Sequence, residues 1–137
     1  MKLALALLVV VACDRRSAVT SCDDSLHGVW INEAGAKWSL LDRGKTLEAY
    51  PLFDDAVPEG VPRVIALERR RNDITGQVKR RYMRGGDSCE AHAPIRVTKC
   101  EANMLQIVVA DPQPPAQFAA CQWPLAAPSR VERWRRD

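Results

Sequence analysis

From His27 onward, short apolar stretches rich in Val, Ile, Leu and Trp alternate with turn-forming clusters of Gly, Pro, Asn and Asp. No long amphipathic helix pattern competes with them. This rhythm constrains the fold most, because each stretch is long enough for a strand and too short to bury a core by itself. The candidate strands are Gly28–Asn32, Ala36–Leu41, Thr46–Phe53, Arg63–Arg71, Ile74–Arg84, Ile95–Lys99, Met104–Ala110 and Gln117–Trp123, and Arg130–Arg136 is a ninth. A run of about eight antiparallel strands has two exposed edges unless the sheet closes on itself. The expected architecture is therefore all-β, a small antiparallel up-and-down β-barrel of about eight strands, with an open β-sandwich as the alternative. At 137 residues, 47% hydrophobic and 27% charged, the chain has material for one modest core.

The clearest local unit is a hairpin turning at Asn72-Asp73, two residues that tolerate the positive φ angles of a tight turn. Pairing Arg71 with Ile74 sets Leu67 opposite Val78 and Ile65 opposite Arg80. Alternation then puts Ile65, Leu67, Ile74 and Val78 on a core face and Glu68, Arg70, Gln77, Lys79 and Arg81 on a wet one. Arg69 and Arg80 fall on the apolar side, where they must snorkel at a rim or mark a bulge. Gly76 also suggests a bulge or bend. Further turns are expected at Glu33-Ala34-Gly35, Asp42-Arg43-Gly44, Gly85-Gly86-Asp87 and Glu101-Ala102-Asn103. Two proline-rich loops, Asp54–Pro62 and Asp111–Pro115, interrupt the strands, since proline removes ladder donors.

The N-terminus reads as an address. Met1-Lys2 precedes ten uncharged, mostly apolar residues, Leu3–Ala12, which Asp14-Arg15-Arg16 cut off. The run has the form of a signal-peptide core and falls short of the roughly 20 apolar residues that span a bilayer. Its closing residues, Val10-Val11-Ala12-Cys13, resemble the lipobox of bacterial lipoproteins. That resemblance implies cleavage before Cys13 and acylation (palmitate among the chains) of its thiol and new amino group. Cleavage nearby that leaves Cys13 unlipidated is the alternative. Stable anchoring takes more than one acyl chain, and the three of a bacterial lipoprotein exceed that. Asp14 after the Cys resembles a signal for inner-membrane retention, and the choice between inner and outer membrane stays open. The expected organisation is a signal peptide over 1–12, a lipidated tether over 13–26 and the barrel over 27–137.

Setting Cys13 aside leaves Cys22, Cys89, Cys100 and Cys121, an even set. In an exported domain of this size that reads as two disulfides. Four cysteines allow three connectivities. A strict meander puts Cys22, Cys100 and Cys121 at one rim and Cys89 at the other, which favours Cys121 pairing with Cys22 or Cys100. A Cys89–Cys100 bridge requires Gly85–Pro94 to be a loop that folds back. Cys89-Glu90-Ala91-His92 has ligand-like local spacing, but no second Cys or His pair completes a metal site, so no metal or other cofactor is expected.

Gly28-Val29-Trp30 on the first strand, with Arg133 and Arg135 flanking Trp134 on the last, is similar to the calycin or lipocalin signature. The resemblance implies that Trp30 meets Arg133 or Arg135 in a cation–π stack closing one end of the barrel. It also implies an alternative function, carriage of a small apolar ligand. Arg69, Arg70, Arg71, Lys79, Arg80, Arg81 and Arg84 concentrate on one hairpin, and Arg70, Lys79, Arg81 and Arg84 form the candidate binding patch for an envelope protein or an anionic lipid headgroup. The full chain has 20 basic and 17 acidic residues, too small a surplus to imply nucleic-acid binding. No nucleophile, base and oxyanion set can be assembled, so no enzyme is expected. The sequence thus predicts a lipid-anchored, disulfide-bonded protein of the cell envelope, facing the periplasm and acting as a non-catalytic protein-binding or scaffolding module. It says nothing of oligomeric state.

Overall fold

The computed structural model describes residues 21–52, 63–124 and 128–137. Cys13, the tether up to Thr20 and the loop Asp54–Pro62 lie outside them. Eight strands run in chain order: β1 (Gly28–Ile31), β2 (Lys37–Asp42), β3 (Thr46–Pro51), β4 (Val64–Arg70), β5 (Asp73–Arg84), β6 (Asp87–Glu101), β7 (Met104–Val109) and β8 (Arg130–Arg136). Each pairs antiparallel with the next and β8 returns to β1, giving a closed meander barrel with no helix among the described residues. The barrel is the expected one, and the open sandwich is excluded.

The interior follows from alternation. Trp30, Trp38, Leu40, Leu47, Ile65, Leu67, Ile74, Val78, Ile95, Val97, Leu105, Ile107 and Trp134 all point inward and are buried. The strands leave two rims. The entry rim holds Ser21–His27 and the turns at Arg43–Lys45, Arg71–Asn72 and Ala102–Asn103. The far rim holds the β1–β2 turn, the β5–β6 tip and the segment from Ala110 to Pro124.

The β4–β5 hairpin turns one residue earlier than expected. Arg70 is opposite Asp73 and Ile65 opposite Val78, and Arg71 takes the positive φ of 56°. The shift preserves which side chains face inward. Gly76 is required by close approach: a Cβ there would lie 1.9 Å from Ala66 O and 2.8 Å from Leu67 Cα.

Two segments depart from expectation. Gly85–Pro94 is largely strand, as β6 begins at Asp87 and pairs with β5 from Arg84–Asp87 to Ile74–Val97. Its inward residues are the small Cys89, Ala91 and Ala93, between outward Ser88, Glu90 and His92, a muted form of strand alternation. Pro94 fits because its main chain faces the end of β7, where its carbonyl accepts from Ala110 N–H (3.1 Å) and no further ladder donor is needed. Conversely, Gln117–Trp123 is not a strand but a turn closed by a single bridge between Gln117 and Gln122, with φ +45° at Cys121. β7 has both neighbours already, in β6 and β8, so the segment has no ladder to join.

That turn decides the disulfides, which are Cys22–Cys100 and Cys89–Cys121. The expected pairing of Cys121 with Cys22 or Cys100 is corrected, because Cys121 lies at the far rim beside Cys89. Two bridges are present, as the count of four cysteines predicts, and they suit an oxidising compartment.

Candidate functional site

At the entry rim one charge pair is buried inside the barrel end. Arg69 sits on the core side of β4 and donates twice to the Asp42 carboxylate (2.7 and 2.9 Å), and also to the carbonyls of Cys22, Asp24 and Gly44. The side chains are only 11% and 3% exposed. Burial pushes the Asp42 carboxyl upward, but hydrogen bonds from Arg69 and from the Leu26 and Gly44 amides outweigh it and hold the group below the ordinary 3.8. The arginine that seemed a flaw in the strand pattern therefore seals the barrel.

Leu26 plugs the same rim, fully buried, and its carbonyl accepts from Trp30 Nε1 at 2.8 Å. The guanidinium over Trp30 belongs to Arg136, 4.9 Å from the ring centroid. This corrects the expectation for Arg133 and Arg135: alternation along β8 turns Trp134 and Arg136 inward and Arg133 and Arg135 outward. Arg136 also donates to the carbonyls of Ser25 and His27. The expected closure of Trp30 by an arginine of the last strand is present, one residue beyond Arg135.

The far rim is built differently. Trp38 and Trp134 stack with centroids 5.3 Å apart. Above them Arg63 pairs with Asp111, Asp111 with Arg130, and Arg130 with Glu132, whose other oxygen accepts from Trp134 Nε1. Desolvation opposes the charge on Arg130, but hydrogen bonds to Asp111 and Glu132 prevail and raise its pKa. Beneath this network lies a cavity of about 20 Å³, room for about one water. Trp38 Nε1, buried, has no hydrogen-bond partner among the described residues.

The β5–β6 ribbon reaches past β4 and is strapped by the segment after β7. Tyr82 Oη donates to Pro112 O, Arg84 lies over Phe118, and Cys89–Cys121 locks the strap. Arg80, the second cation on the apolar side, stacks on Tyr82 at 4.9 Å.

The basic residues chosen from the sequence do not converge. Arg70 pairs with Glu68 at the entry rim, Arg81 lies 4.0 Å from Glu90, and Arg84 is at the opposite end of β5. From Asp73, beside Arg70, to Arg84 is roughly 36 Å of extended strand. The candidate patch is thus a stripe along the hairpin with acidic neighbours at Glu68 and Glu90. Lys79 makes no ion pair among the described residues; it faces His92 across the ladder and lines an open groove of about 490 Å³ with Glu48, Glu68 and Gln77. The ligand-like Cys89-Glu90-Ala91-His92 spacing is divided between two faces: Cys89 points inward to its disulfide, and the His92 ring meets Glu90 and Gln77 outside.

The barrel seam carries a feature that the sequence did not signal. β1 meets β8 only at Trp30–Arg136 and Ile31–Arg135, with Asp137 N–H donating to Val29 O beyond them and Lys37 pairing with Asp137. β8 continues alone to Arg130, paired only with β7. Over the seam lies a groove of about 350 Å³ lined by Ile31, Asn32, Glu33, Gly35, Met104, Arg133 and Arg135. A strand that outlasts its neighbour can pair with another chain. No family model, curated protein or solved structure matches the chain.

Proposed function

We propose that this is an exported, lipid-anchored envelope protein that works by binding another protein on its outer surface. The observation that carries the reading is the interior: among the described residues Trp30, Trp38, Trp134 and the aliphatic core occupy the barrel, and the cavity they line under the far mouth is about 20 Å³. Ligand pockets are typically about 300 Å³ or more, so the interior gives little support to the carrier alternative. The two disulfides agree with export, and the lipobox-like Val10-Val11-Ala12-Cys13 supplies the anchor. The segment from Cys13 to Cys22 spans at most about 30 Å when extended, and the Cys22–Cys100 bridge fixes its end to the entry rim. In this reading the far rim and the seam beside it are turned away from the bilayer.

Labelled palmitate tests the anchor. Incorporation into the wild-type chain that Cys13→Ala abolishes is the expected result. Labelling that persists in the variant overturns Cys13 as the site, and absence of labelling in both overturns the anchor.

A further inference from the structure

Along β8 the main-chain groups alternate in direction. Arg136 N–H donates to Asn103 O at the β6–β7 turn, whereas Asp137 N–H donates to Val29 O on the β1 side. Odd-numbered residues of β8 therefore aim their N–H and C=O groups at β1. Arg135 meets Ile31 there. Val131 and Arg133 meet nothing among the described residues, because β1 ends at Ile31 and the chain turns away. That turn is closed by Asn32 N–H donating to Ala36 O and Gly35 N–H donating to Asn32 O. Two donors and two acceptors are left on an open edge, and Val131 is 55% exposed.

The side chains around this edge indicate what would cover it. Arg133 and Arg135 point outward into the seam groove, Ile31 and Met104 give it apolar surface, and Glu33 is its one acid. Among the described residues neither Arg133 nor Arg135 has an acidic partner. A second copy of the same edge would set arginine against arginine, since β8 carries Arg130, Arg133, Arg135 and Arg136 against Glu132 alone.

We propose that the Val131–Arg133 edge takes an extended acidic peptide segment of a partner protein, added antiparallel to β8 along the line that β1 vacates. Main-chain hydrogen bonds would supply affinity. Alternate side chains of the incoming strand fall on the outer face, so an acid opposite Arg133 would meet it directly and reach Arg135 on the diagonal, beside Ile31, which holds the position opposite Arg135. The proposal rests on the protein-binding reading above and names the surface that performs it.

The test uses the purified full chain and a blocked peptide, Thr-Glu-Val-Glu-Val-Thr. Two relatives serve as controls, one with both Glu replaced by Lys and one N-methylated on the alternate amides that face the edge. The acidic peptide is expected to slow amide exchange at Val131 and Arg133. N-methylation should weaken binding about tenfold, the equivalent of two main-chain hydrogen bonds, and the Lys peptide should not bind. Arg133→Glu with Arg135→Glu should weaken the acidic peptide. Val131→Pro should abolish binding without touching the β7 ladder, because the Val131 N–H faces the seam. If that variant does not fold, the N-methylated peptide on the wild-type chain decides. Undiminished binding of the N-methylated peptide, or unchanged exchange at Val131 and Arg133, overturns the proposal. Partner capture by the membrane-anchored chain separates it from the reading beneath. Capture that survives Val131→Pro and charge reversal overturns the edge and leaves protein binding standing, whereas a wild-type chain that captures nothing overturns protein binding itself.

Discussion

Arg69 at the entry rim and Arg130 at the far rim both bind two or more oxygen-bearing partners, yet they do different work. Arg69 is 11% exposed and holds Asp42 together with three main-chain carbonyls, tying β4 to the N-terminal segment and to the β2–β3 turn. Arg130 is 46% exposed and pairs with Asp111 and Glu132 at the water boundary. Removing a partner from a buried pair strands a charge, whereas an exposed pair is replaced by water. The entry rim is a structural closure. The far rim can change its surface at little expense to the fold.

The contrast can be broken by experiment. Arg69→Met should cost about 3–5 kcal/mol in denaturant unfolding by leaving Asp42 buried and unpaired. Opening either disulfide should cost about 2–4 kcal/mol, and the entry-rim bridge more by about 0.8 kcal/mol from loop entropy alone, since Cys22–Cys100 spans 78 residues and Cys89–Cys121 spans 32. Equal losses from paired Cys→Ser variants would show that strain or residual structure outweighs the loop term. Asp42 also gives a pH signature. Its folded pKa lies below the ordinary 3.8, so its stabilisation is present above that value and is lost as pH falls through the lower native one. Denaturation midpoints of wild type and Asp42→Asn should therefore differ near neutrality and converge in acid. A gap that stays constant with pH would remove the ionised carboxylate from the account. The smallest effect belongs to Arg130→Met, under about 1 kcal/mol and shrinking with salt. A loss equal to that of Arg69→Met would erase the distinction between the rims.

Much of the barrel was legible because its inward positions are large and apolar. Leu67, Ile74 and Val78 announce their face without help from the fold. Cys89, Ala91 and Ala93 do not, since three small residues beside Pro94 look like loop until β5 is known to pair with them. Phe118 and Trp123 mislead in the other direction, being apolar residues on a turn held by a disulfide. Arg69 was visible as an anomaly, but its partner Asp42 lies 27 residues away, a proximity only the fold creates. An arginine over Trp30 was expected from the resemblance, and strand alternation moved it from Arg133 or Arg135 to Arg136. The open edge at Val131 had no sequence signal, because it arises from the difference in length between β1 and β8.

Amide hydrogen exchange on the unliganded chain, resolved by residue, bears most directly on the central claim that the barrel is closed at its entry rim and open on the β1 side of β8 at Val131 and Arg133. Ile65 and Val97 should exchange slowly, near the limit set by global unfolding, while Val131 and Arg133 exchange almost as freely as an open strand. Protection at Val131 and Arg133 equal to that at Ile65 and Val97 would contradict the account, because it would mean that the edge is already covered.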